Sequence, residues 1–115
     1  MRYAMLICTS EKSDAAMTPA EVEAQYAGYM KFGEDMTKRG VLTGGERLRP
    51  TSDATTVQVR NGDVTTFDGP FAETKEQIAG FYLVEAKDLD EAIEIAAKIP
   101  GASNGSIEVR PVWEM

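Results

Sequence analysis

The chain has 115 residues, 43% hydrophobic and 27% charged, with a formal net charge of −7 and a pI near 4.6. That length makes one domain, residues 1–115, able to bury roughly two thirds of its unfolded surface, while the acidity repels phosphate backbones and anionic lipid and so argues against nucleic-acid and membrane partners. Histidine is absent, which removes the commonest general base at neutral pH, the Ser-His and Cys-His nucleophile pairs and most zinc sites.

Tyr3 to Cys8 is an apolar run that reads as a strand with apolar side chains on both faces, since successive side chains alternate. Six residues are too few for a signal-peptide core or a membrane span. Cys8 is the single cysteine; it is read as a small buried hydrophobe in preference to a reactive thiol. A lone cysteine forms no internal disulfide, which suits a reducing compartment and a cytoplasmic address.

Thr18-Pro19-Ala20-Glu21 carries a helix start: a capping threonine, a proline at the first helical position and a glutamate placed to close a capping box. Val22, Tyr26, Tyr29, Met30, Gly33 and Met36 keep helical spacing and Gly40 marks the stop. That stripe is assigned to core packing in preference to a ligand-binding face.

Val41 to Leu48 reads as extended, with Gly44-Gly45 signalling a bulge or a close approach by another group. Thr55–Arg60 and Val64–Phe67 flank Asn61-Gly62, the signature of a hairpin with a primed turn. After a polar loop at 68–76, Ile78 to Ala86 forms another strand that is apolar on both faces. Asp88 caps a second helix, with Glu91 three residues on and Leu89, Ala92, Ile93 and Ala96 on one side. Ile95 and Ile99 widen its apolar arc and Pro100-Gly101 ends it. Ser106 to Trp113 is the last strand, with Ile107, Val109, Pro111 and Trp113 on one face and Ser106, Glu108, Arg110 and Val112 on the other.

The predicted class is α+β: a ferredoxin-like βαββαβ plait with an inserted β-hairpin. Right-handed crossovers put both helices on one face of the sheet. Two strands apolar on both sides then demand cover for the other face, and a second copy of the chain supplies it most economically. A homodimer is expected.

The loop Asp68-Gly69-Pro70-Phe71-Ala72-Glu73-Thr74-Lys75-Glu76 resembles the signature of the DGPFAETKE family, a branch of the YCII-related proteins. Gly44-Gly45-Glu46-Arg47-Leu48, the Gln77–Glu85 strand, the Asp88–Ala97 helix and Ile107–Val112 extend the similarity over nearly the whole chain. The resemblance implies a plait that pairs as a dimeric α/β barrel. It also implies a regulatory link to alternative sigma factors, beside which such proteins are often encoded. Some relatives carry a His and Asp pair proposed as a catalytic dyad; Asp68 has no histidine to partner it here.

Five polar residues are candidates for a site. Asp68 has two readings: a turn residue, with Gly69 and Pro70 shaping the bend and Phe71 anchoring it to the core, or a functional carboxylate acting as acid or base. Glu73 and Lys75 are either a solvated charge run or the mouth of a ligand cleft. Arg110, on the face away from the helices, requires a carboxylate, among Asp68, Glu46 and Glu108, or an anionic ligand. Arg47, next to the double glycine, carries the same choice. No P-loop, calcium loop, zinc cluster or nucleophile elbow is present, so no metal or cofactor is expected. A dimeric small-molecule-binding or regulatory protein is favoured, ahead of a small enzyme using Asp68 and ahead of a structural or protein-interaction module.

Overall fold

The computed structural model describes residues 1–114 and shows a mixed α+β architecture with two antiparallel sheets and three helices. Strand β1 (Arg2–Thr9) leads through a five-residue helix α1 (Glu11–Ala15) into the long helix α2 (Pro19–Lys38) and then β2 (Leu42–Arg47). A 3₁₀ turn at Thr51–Asp53 precedes β3 (Thr55–Arg60) and β4 (Asp63–Asp68). Strand β5 (Gln77–Glu85), helix α3 (Leu89–Ala96), a second 3₁₀ turn at Pro100–Ala102 and β6 (Ser106–Pro111) follow. The main sheet has the order β2-β5-β1-β6, with every neighbouring pair antiparallel. Each of the two longer helices thus joins parallel strands separated by one other strand, which is compatible with the class expected from the sequence.

Local chemistry explains where the elements start and turn. Thr18 Oγ1 accepts from the Glu21 amide at 3.2 Å while Glu21 Oε1 accepts from the Thr18 amide at 3.0 Å, closing the capping box. Asp88 caps α3 through the Glu91 amide at 2.9 Å. Asn61 and Gly62 have φ of 53° and 81°, the two positive values that a type I′ hairpin turn requires. Helix α1 was not expected, because its five residues carry no apolar period; Ser10 starts it by accepting from the Ser13 amide at 3.1 Å. At Gly44-Gly45 both expected features occur. The register slips between Leu42 and Gly44, and a side chain at Gly45 would meet the Phe81 carbonyl oxygen at 2.6 Å.

The core lies between the helices and one face of the sheet. Tyr3, Met5, Ile7 and Thr9 of β1 alternate inward, meeting Val84 of β5, Phe32 and Met36 of α2, and Ala92, Ile95 and Ile99 of the α3 region. Burying side chains such as Met5 and Ile95 contributes about 1.5–3 kcal/mol each. Phe32 and Tyr82 stack at a tilt, with ring centroids 4.9 Å apart, a geometry that suits their quadrupoles.

The expected apolar stripes need correction. On α2 the buried residues are Phe32 and Met36, with Tyr29 packed against them, whereas Val22, Tyr26 and Met30 are exposed. Residues four apart drift by about 40° around a helix, so the 22-26-30 row leaves the face that meets the sheet. On α3, Ala92, Ile95 and Ala96 are buried while Leu89 and Ile93 sit on the flank, exposed. Trp113 is 90% exposed, not on the helix-facing side: β6 ends at Pro111 and β1 begins at Arg2, leaving no strand beside it. Phe71 is 76% exposed and does not anchor its loop to the core. The amide of Gly69 donates to Ala54 O at 2.7 Å and Thr56 Oγ1 donates to Gly69 O at 2.8 Å, so backbone contacts to the base of the hairpin hold the turn instead.

The opposite face of the main sheet carries Ala4, Leu6 and Cys8 of β1 beside Leu83, Phe81 and Ile78 of β5, and among the described residues no helix covers it. The β3–β4 hairpin forms a separate two-stranded sheet whose Val57, Val59 and Val64 are exposed on one side of the ribbon. It extends the molecule to a radius of gyration of 16.1 Å, against about 13 Å for a compact chain of this length. Among the described residues no helix is long and apolar enough to cross a membrane.

Candidate functional site

One row of the sheet explains where the main cavity lies. Arg47 of β2 pairs with Gly80 of β5, Gly80 with Ile7 of β1, and Ile7 with Ile107 of β6. Ile7 faces the helices, so the whole row does. Gly80 puts no side chain on that face, and none would fit, because its Cβ would stand 2.7 Å from the Glu46 carbonyl oxygen. The result is a hollow in the floor beneath the N-terminal half of α2.

The cavity measures about 400 Å³, within the range of sites for small ligands. Val22, Gln25, Tyr26 and Tyr29 of α2 form its roof, Ile7, Thr9, Gly80 and Tyr82 its floor, Asp14 of α1 one wall and Arg47 the edge-strand wall. The 22-26-29 residues, assigned to core packing from spacing alone, are therefore cavity-lining residues. Helix α2 buries its C-terminal half in the core and turns its N-terminal half over this space.

The electrostatics of the walls are distinctive. Arg2, Arg39, Arg49 and Arg110 each ion-pair with a carboxylate, and Arg60 donates to the Val59 carbonyl at 3.0 Å. Among the described residues Arg47 is the one arginine with neither an ion pair nor a side-chain hydrogen bond. Across the cavity, Asp14 Oδ2 accepts from the Thr9 hydroxyl at 2.9 Å. Burial pushes the Tyr29 phenol up from its ordinary value, opposed by the Gly101 amide that hydrogen-bonds its oxygen, with Asp14 raising it and Arg47 lowering it. Burial raises the Tyr82 phenol as well. Both phenols stay protonated at neutral pH and can act as donors.

The sequence-derived candidates are distributed over different parts of the molecule. Arg47 lines the cavity. Arg110 pairs with Ala4 on the uncovered sheet face, opposite to Arg47, and forms its ion pair with Glu108, one of the carboxylates expected for it. Asp68 ends β4, is exposed, and makes no side-chain hydrogen bond among the described residues; it lies outside the lining of the cavity. Glu73 borders a shallower hollow of about 300 Å³ with Thr51, Gly69 and Thr74, and Lys75 is exposed nearby in the loop. Glu11 secures the neighbouring turn by accepting from the Thr51 amide at 2.8 Å, while the Glu11 amide donates to Gln77 Oε1 at 2.9 Å. On the uncovered face, burial pushes the Cys8 thiol up, with Glu108 and Glu76 adding to the shift, which suits an unreactive thiol. Among the described residues no group of three metal-ligating side chains converges.

Sequence reading missed Asp14, Thr9 and Gln25. Asp14 sits on the unexpected helix α1, and the hydrogen bond from the Thr9 hydroxyl ties it to the end of β1 at the cavity wall. The one available signal was Ser10-Glu11-Lys12-Ser13-Asp14, a polar run just after a strand with a capping residue at its head.

A family described as the YCII-related domain matches residues 1–115. An uncharacterized protein of Rhizobium meliloti (strain 1021) is 39% identical over 114 residues, covering 97% of this chain and 92% of its own length.

Proposed function

The chain belongs to the YCII-related family, and from that premise we propose that it is a dimeric small-molecule-binding protein that works without a His-Asp dyad. The observation that carries this reading is the unpaired Arg47 guanidinium on the wall of a 400 Å³ cavity. The Arg47 side chain is exposed at the edge strand, and its unpaired planar fork of donors matches the geometry of a carboxylate. Val22, Ile7 and the tyrosine rings suit an apolar body on the same molecule. A sensing role in the cytoplasm is part of this proposal.

The proposed assembly is a ferredoxin-like plait that pairs sheet to sheet as a dimeric α/β barrel. Its support is the uncovered face of Leu6, Cys8, Phe81 and Leu83, together with the exposed valines of a hairpin that is marginal in water by itself. An enzyme built on Asp68 has less support, because that carboxylate is solvent-exposed on the hairpin and away from the cavity.

A thermal-shift screen of small organic carboxylates on the wild type and Arg47→Gln tests the binding reading. Hits should bind the variant at least about tenfold more weakly, the loss expected for a charged hydrogen-bonded pair. Equal shifts in both proteins would refute Arg47 as the anchor. Sedimentation at micromolar concentration tests the assembly: a 12.5 kDa species contradicts the dimer, and Phe81→Glu should produce that species from a dimeric wild type.

A further inference from the structure

Arg47 and Asp14 line the same cavity, carry opposite charges, and do not pair with each other or with any other charged group among the described residues. Strand β5, with Gly80, lies between β2, which carries Arg47, and β1, which leads to Asp14. Asp14 is oriented from below. Thr9 is the buried polar side chain of the core, 4% exposed, and its hydroxyl donates to Asp14 Oδ2 at 2.9 Å. The other oxygen, Oδ1, receives no hydrogen bond from the described residues. A carboxylate held by one buried donor, with one acceptor atom left open to a cavity, is preorganised for a ligand donor. The Tyr29 phenol stands within the influence of both poles.

Resting on the reading of this cavity as a ligand site, we infer that its ligand is a compact zwitterion of the amino-acid class: the carboxylate seats on Arg47, the ammonium seats on Asp14, and an apolar side chain lies among Val22, Tyr26 and Tyr82. Charge complementarity at both poles selects this class. A simple acid makes no ion pair with Asp14, and a simple amine makes none with Arg47.

The test is calorimetric titration with three probes that share one phenyl body: L-phenylalanine, 3-phenylpropanoate and 2-phenylethylamine. Phenylalanine should bind the wild type about 10–100-fold more tightly than either single-charge probe, the effect of one charge-assisted hydrogen bond. Asp14→Asn keeps an oxygen for the Thr9 hydroxyl; it should bring phenylalanine down to the affinity of phenylpropanoate and leave phenylpropanoate within about twofold. Equal affinities for phenylalanine and phenylpropanoate, unchanged in Asp14→Asn, would overturn the acidic pole while the Arg47 site stands. Equal affinities for phenylalanine and phenylethylamine would overturn the Arg47 anchor and with it the functional reading. Absence of binding by all three would overturn both.

Discussion

Two glycine-to-alanine substitutions should act in opposite directions, for reasons visible in the backbone around each. At Gly80 an added Cβ would lie 2.7 Å from the Glu46 carbonyl oxygen and 3.3 Å from the Arg47 Cα. Both neighbours are backbone of strand β2, so relief requires the edge strand to move by several tenths of an ångström against its ladder to β5. Overpacking of this kind costs about 1–3 kcal/mol. With an unfolding entropy near 2.1 cal/mol/K per residue, about 1 kcal/mol corresponds to roughly 4 °C in a chain of this length. Gly80→Ala should therefore lower Tm by about 4–12 °C. Gly33 lies inside α2, and nothing stands within 4 Å of its added Cβ. There the alanine relieves the helix of glycine's entropy cost, worth about 0.5–1 kcal/mol, and Tm should rise by about 2–4 °C. Urea unfolding at matched protein concentration checks both, with the midpoint moving and the m-value constant. A loss under about 0.5 kcal/mol for Gly80→Ala, or a loss for Gly33→Ala as large as that for Gly80→Ala, would refute the contact reasoning.

Ile95 is fully buried beneath the sheet, and Ile95→Ala should cost about 2–5 kcal/mol in a urea titration, through lost burial and the cavity left behind. Thr18→Ala removes the acceptor for the Glu21 amide and should cost about 1 kcal/mol in a urea titration, while the backbone amide of residue 18, the chief cause of the lowered Glu21 carboxyl, stays in place. The Glu94 carboxyl is held below its ordinary value chiefly by the hydrogen bond from Arg39, with Lys98 assisting. A depressed carboxylate contributes stability that is present above its unfolded pKa and disappears as pH falls through the folded one. Glu94→Gln should flatten the acid limb of Tm against pH and leave the slope above neutrality unchanged; an unaltered acid limb would contradict the Arg39 pair.

Much of the fold was legible because its determinants are local. Thr18 through Glu21, Asp88 through Glu91 and Asn61-Gly62 carry their own capping and turn chemistry within four residues, and the structure uses each as expected. The alternation in β1 was visible, and the burial along the strand follows it. The phase of the helix stripes was not. Whether α2 turns Tyr26 or Phe32 toward the sheet depends on how the helix lies across strands far away in the chain, and apolar residues stand on both arcs. Phe71 was misplaced for a similar reason, since an aromatic in a loop is anchored only if the core has room next to it.

The candidate site divides along the same line. The sequence by itself established the family, the class of fold, the absence of histidine chemistry and the ambiguity of Arg47 and Arg110. Which arginine faces the cavity was decided by register: the Arg47–Gly80–Ile7 row places one on the helix side, and the Ala4–Arg110 pair places the other on the uncovered face. Tertiary structure also moved attention from the conspicuous loop at 68–76 to Asp14, which has no motif. Composition and short spacing report what a residue can do; only the long-range pairing of strands, in which a shift of one residue reverses every side chain, decides what it does it to.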